Sequence, residues 1–121
     1  MIRIAACLSL LAAMSLAGAA PSYAEDEMTG SEIKTLVSGN TVTGAMVESG
    51  SYTEFYQADG IIKGKGYTGA WTVSSDSMCF QYGSDPKKCR QVRKAGDEIQ
   101  WLNGRRIDGT GMILPGNPNN Y

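Results

Sequence analysis

Residues 67–82 read Tyr-Thr-Gly-Ala-Trp-Thr-Val-Ser-Ser-Asp-Ser-Met-Cys-Phe-Gln-Tyr. Two short runs rich in aromatic, β-branched and sulfur residues flank Ser74-Ser75-Asp76, so the stretch reads as a β-hairpin whose side chains alternate between faces. The same grammar extends in both directions. From Thr41 onward, runs at about 41–47, 51–57, 61–65, 67–74, 77–82, 89–94, 98–103 and 109–114 alternate with turn residues. The breaks are Ser49-Gly50, Asp59-Gly60, Gly64-Lys65-Gly66, Ser74-Ser75-Asp76, Gly83 to Lys87, Gly96-Asp97 and Asn103-Gly104. Seven or eight strands so closely spaced predict a mainly β fold, an antiparallel meander that curls into a small barrel or sandwich to cover its apolar face.

Upstream of Thr41 the period changes. Thr29-Gly30-Ser31-Glu32 matches a capping box, and Ile33, Leu36 and Val37 follow at helical spacing. Ser38-Gly39-Asn40 stops the pattern, with Gly39 as the residue after the cap. One short N-terminal helix is therefore expected, preceded by an acidic, mobile lead over residues 25–30. Residues 115–121, Pro-Gly-Asn-Pro-Asn-Asn-Tyr, cannot continue a ladder and read as an irregular C-terminal tail. Residues 31–114 form the single β-rich domain.

Residues 1–24 combine Arg3, an apolar run from Ile4 to Ala20 and the small-x-small site Ser22-Tyr23-Ala24, the pattern of a secretory signal peptide cleaved after Ala24. Cleavage leaves 97 of the 121 residues, with no transmembrane segment, in the periplasm or the medium. The 11 Lys plus Arg stand against 12 Asp plus Glu; losing Arg3 moves the net charge from −1 to −2, and nothing global asks for nucleic acid.

Two cysteines remain in the mature part, Cys79 and Cys89, and an oxidising compartment makes a bridge between them the expectation. Pairing 79 with 89 staples adjacent strands and assigns faces: Met78, Phe80, Tyr82, Arg90 and Val92 point one way, and Cys79, Gln81, Cys89, Gln91 and Arg93 the other. The aromatic set reads as the inside. Arg90 then lies inside or at a mouth and needs a carboxylate, a ring of acceptors or a ligand anion, with Glu54 the carboxylate on a comparably patterned strand. Two expectations follow. One is a ligand cavity lined by Tyr52, Tyr56, Trp71, Phe80, Tyr82 and Trp101, with Arg90 and Glu54 as its polar groups. The other is a barrel filled by its own side chains.

The chain contains no histidine. That removes Ser-His-Asp and Cys-His pairs and the commonest zinc and haem ligand; no metal, cofactor or catalytic residue is expected. Carboxylate chemistry involving Glu54 and Asp59 is the weakest reading. Lys87 to Lys94 and Arg105-Arg106 are strongly basic, either guarding a sheet edge or attracting an anionic partner. The leading expectation is a non-enzymatic binding module for a small molecule, an envelope glycan or another envelope component. Its alternative is an inhibitor or accessory subunit that binds another exported protein through Gly83 to Lys88 and the tail.

The helix ending in Gly39-Asn40-Thr41, the Asp59-Gly60 turn, Tyr67-x-Gly69-x-Trp71 and the Cys79, Cys89 pair together resemble a family of small exported bacterial proteins known as a domain of unknown function. The resemblance spans about Ser31 to Leu114 and implies no activity. Gly69-Ala70-Trp71 is also similar to the Gly-x-Trp of lipocalin-like and avidin-like barrels. There the lipocalin motif opens the first strand and here it falls midway, so this likeness implies architecture alone.

Overall fold

The computed structural model describes residues 26–121 and the isolated Gly18; the expected signal peptide and its expected cleavage site after Ala24 lie outside these residues. Eight strands follow one helix: α1 (Gly30–Val37), β1 (Asn40–Met46), β2 (Gly50–Tyr56), β3 (Ile61–Gly64), β4 (Tyr67–Ser74), β5 (Ser77–Gln81), β6 (Lys88–Ala95), β7 (Glu98–Asn103) and β8 (Arg106–Leu114). Each strand pairs with the next, and β8 returns to β1, so the meander is a closed antiparallel barrel. Among the described residues no helix is long and apolar enough to cross a membrane.

Helix α1 forms where the sequence caps it. The Thr29 side chain accepts from the Glu32 amide, and the Glu32 carboxylate accepts from the Thr29 amide at 3.1 Å. Gly39, at φ 74°, takes the left-handed turn that ends the helix. Ile33 and Val37 are fully buried and plug one end of the barrel. The Gly30 amide donates to Asp76 Oδ1 at 2.8 Å, which ties the helix start to the β4–β5 turn.

The acidic lead is anchored rather than free. Met28 is buried, its amide donates to the Val92 carbonyl at 2.7 Å, and Glu27 bridges to Arg93. Charge at residues 25–27 suggests a solvated segment, but one apolar side chain two residues before the helix docks it. The C-terminal tail is irregular, as its prolines and asparagines require, and it is also tied down: Thr41 Oγ1 donates to the Gly116 carbonyl at 2.7 Å and the Gly116 amide to Asn40 Oδ1 at 3.1 Å.

Alternation gives the barrel its two ends. The β2–β3, β4–β5 and β6–β7 turns lie at the end closed by α1, and the β1–β2, β3–β4, β5–β6 and β7–β8 turns form an opposite, open end. The lumen holds Val42, Tyr56, Ile62, Trp71, Met78, Val92, Ile99 and Trp101, packed against Tyr52, Val73, Phe80 and Tyr82.

Cys79 and Cys89 are bonded and directly opposite one another across β5 and β6. In the folding equilibrium the bridge restricts a short loop of the unfolded chain. Replacing both cysteines with alanine is expected to lower stability by about 2–3 kcal/mol in urea titrations. A variant as stable as the oxidised protein would mean that the bridge does not restrain the unfolded ensemble.

Candidate functional site

Seven of the eight residues expected inside are brought together there: Tyr52, Glu54 and Tyr56 from β2, Trp71 from β4, Phe80 and Tyr82 from β5 and its end, and Trp101 from β7; Arg90 of β6 pairs elsewhere. The rings form a connected lattice. Tyr56 meets Trp71 edge-on at 6.2 Å between centroids and Phe80 at 6.4 Å, and Phe80 meets Trp101 at 5.3 Å. Such T-shaped pairs place positive ring edges against negative faces. Their polar atoms are satisfied within the barrel: Trp71 Nε1 donates to the Gln57 carbonyl at 2.8 Å, and Trp101 Nε1 donates to Tyr52 Oη at 2.7 Å, which donates to the Thr110 carbonyl at 2.9 Å. Two open hollows lie on the outer surface, one along α1 and one beside Lys63, Tyr67 and Tyr121; none of the eight residues lines either.

Towards the open end the lumen becomes polar around Glu54, which is 6% exposed. Its Oε2 accepts from Tyr56 Oη at 2.7 Å, its Oε1 from Tyr67 Oη at 2.8 Å, and Tyr82 Oη lies 2.9 Å from both oxygens. Among the described residues no cation comes within ion-pair distance of it. Glycines make this convergence sterically feasible. A Cβ on Gly64 would occupy the Tyr67 ring, and one on Gly69 would lie 2.6 Å from Tyr82 Cδ1. β3 pairs with β2 only through Phe55↔Lys63 and Tyr56↔Ile62, so residues 50–54 of β2, towards the open end, have no partner on that side, and the Tyr67 hydroxyl reaches Glu54 there.

Arg90 does not meet Glu54. Its Nε lies 2.9 Å from Asp108 Oδ2, and its Nη1 donates to the Cys89 carbonyl at 2.8 Å. Arg106 Nε takes the other oxygen of the same carboxylate. Asp108 is the extra residue of a β-bulge, since Trp101 pairs with Gly109 while Leu102 pairs with Ile107. Two arginines on one carboxylate leave a net positive charge at the mouth. The Arg106 hydrogen bond, more than any other contact, holds the Asp108 carboxyl below the usual carboxylate range.

The phenols shift the other way. Burial raises Tyr52 to about 12, the Trp101 hydrogen bond opposing it. Burial, followed by the Glu54 charge, pushes Tyr56, Tyr67 and Tyr82 further upward. A phenol whose folded value lies above its unfolded value near 10 contributes stability that is complete below pH 10 and is lost as pH rises towards the folded value. Stability is therefore expected to fall steeply above about pH 10, with tyrosinate absorbance appearing together with loss of near-ultraviolet circular dichroism. Gradual ionisation of Tyr56, Tyr67 and Tyr82 in a barrel that stays folded would contradict the cluster.

Reading the sequence for this site missed Tyr67 and Asp108. Tyr67 carries a signal, being in phase with Gly69 and Trp71 on the inward face of β4. Asp108 carries none, because its direction is set by a bulge.

The ends of the barrel differ in charge. Lys65, Lys87, Lys88, Arg105 and Arg106 stand exposed at the open end against exposed Glu48 and Asp85. At the closed end Glu27, Glu32, Asp59, Asp76, Asp97 and Glu98 stand exposed against Lys34 and Lys94. No protein-family model, curated protein or solved structure matches this chain.

Proposed function

We propose that the chain is an exported, non-enzymatic binding module for a small molecule or envelope component, and that it engages an anionic ligand at the open end of the barrel. The observation that carries this reading is the segregation of charge along the barrel axis. A protein with a small net negative charge carries most of its exposed cations around one rim, where four turns lie together with the doubly ion-paired Asp108. Opposed charge at the two ends orients an approaching anion towards that rim. The packed aromatic lattice beneath it supplies a rigid floor, with Arg90, Glu54 and Tyr82 as its polar upper layer. The absence of histidine from the sequence supports a binding role over acid-base or nucleophilic catalysis.

Retention on immobilised dextran sulfate tests the reading. Lys65→Glu with Arg105→Glu is expected to weaken retention by about tenfold or more at low salt, with the difference shrinking as salt is raised. Lys34→Glu with Lys94→Glu changes net charge equally at the closed end and is expected to leave retention within about twofold. Equal losses in both double variants would show that net charge alone governs binding.

A partner-protein reading has one observation in its favour: Gly83 to Lys87 form an exposed turn at the same rim. Recovery of one stoichiometric protein with the chain from its own host would favour an inhibitor or accessory subunit over a binder of envelope material.

A further inference from the structure

The open end carries exposed apolar side chains as well as cations. Val47, 80% exposed, stands in the turn between β1 and β2, where a β-branched residue has no turn-forming role. Its amide donates to the Asp108 carbonyl at 2.7 Å, so the tip is held against β8 and the side chain is presented on a fixed support. Ile107, 40% exposed, is the next residue along β8 beyond Asp108, and Arg105 and Arg106 adjoin it. On the same rim Tyr67 is 43% exposed, with Lys65 two residues away.

We infer that this rim seats on the surface of an anionic lipid bilayer, with the cations against the headgroup phosphates and Val47 and Ile107 entering the interface between them. The inference deepens the reading of the open end as an anion-binding face and rests on it. Two independent features point to a bilayer rather than to a dissolved polyanion. Cations on one face and acids on the other orient the barrel axis along the normal of a negatively charged surface. Projecting aliphatic side chains among those cations gain nothing from a hydrated polymer, but they gain burial in the boundary between headgroups and acyl chains. A shallow, reversible association follows, because the described residues contain no membrane-crossing helix and the apolar contribution comes from side chains at turn tips rather than from a continuous apolar face.

The decisive experiment is co-sedimentation of the protein, purified after export, with large unilamellar vesicles of phosphatidylcholine alone or of phosphatidylcholine mixed with phosphatidylglycerol, alongside binding to soluble dextran sulfate. Wild-type protein is expected on the mixed vesicles and not on pure phosphatidylcholine, with each rim cation replaced by a neutral residue weakening vesicle binding about fivefold. Val47→Ser, which removes the apolar side chain without changing charge at a position too exposed to disturb folding, is expected to weaken vesicle binding about fivefold while leaving dextran sulfate binding within about twofold. Near-ultraviolet circular dichroism verifies the fold of each variant. Equal binding to both vesicle types overturns the inference of an anionic bilayer, and Val47→Ser binding vesicles as well as the wild type overturns the entry of Val47 into the interface; dextran sulfate binding without vesicle binding leaves a dissolved acidic polymer as the ligand. Absence of binding to vesicles and dextran sulfate alike removes the inference together with the anion-binding reading beneath it.

Discussion

Replacing Glu54 with alanine is expected to cost roughly 3–5 kcal/mol in urea titrations, a large part of the total stability of a domain this small. The variant removes the common acceptor of three phenols at once. Tyr56 is 1% exposed, so its hydroxyl has no water to turn to and is left with its full desolvation penalty. Tyr82 is half-buried and recovers part of its loss, whereas Tyr67 stands at the rim and recovers most. Glu54→Gln retains an acceptor oxygen and adds a donor that a rotating hydroxyl can accept from, so the expected cost falls to about 1–2 kcal/mol. A double-mutant cycle of Glu54→Ala with Tyr56→Phe should return a coupling of about 1–3 kcal/mol, since removing both partners leaves nothing unsatisfied. Additive losses would mean that the carboxylate stabilises the barrel through something other than these hydroxyls. If so, the polar layer under the rim would need another explanation.

Most of the wall was legible in advance because each turn announces itself chemically. Gly50, Gly60, Gly66, Gly96 and Gly104 mark reversals between alternating runs, and the strand limits fall within a few residues of those marks. The cysteine pair fixed one register, and from it the inward set of β5 and β6 followed without knowledge of the rest. β8 was less legible. It begins at Arg106 rather than near residue 109; its charged start and the Asp and two Gly of Asp108-Gly109-Thr110-Gly111 are residue types depleted in strands, which masks its length. Its membership is decided instead by two neighbours, β7 and β1, that need small residues beside them.

Alternation also explains why the site was legible by face and not by partner. It says on which side of the wall a side chain lies, and all eight inward assignments rest on that rule. It does not say which residues meet across the lumen, because that depends on barrel curvature and on how far each strand is displaced along its neighbours. Arg90 and Glu54 are both inward, yet β6 and β2 are separated around the circuit, and the bulge on β8 brings Asp108 to Arg90 first. Glu54 is left to the tyrosines that lean over Gly64 and Gly69. A buried acid without a base was therefore the less foreseeable half of the arrangement.

The closing seam between β8 and β1 sets the second large effect. Gly44 faces Gly111 across that seam and Tyr52 on its other side. A Cβ on Gly44 would stand 2.7 Å from the Gly111 Cα and would overlap the Thr110 carbonyl oxygen, which also receives the Tyr52 hydroxyl. Both obstacles are backbone, so relief requires the two strands to part, and parting them withdraws the acceptor on which the Trp101 to Tyr52 hydrogen-bond chain ends. Gly44→Ala is therefore expected to destabilise the protein by roughly 3–5 kcal/mol and to raise amide exchange first along β1 and β8. Gly66→Ala supplies the contrast: its φ of 80° strains any side chain, but nothing lies within 4 Å of the added carbon, so a loss of only about 1–2 kcal/mol is expected. The comparison separates steric closure from backbone preference. If the two alanines cost the same, or if exchange rises elsewhere first, glycine at the seam reflects strand conformation rather than the close approach that shuts the barrel.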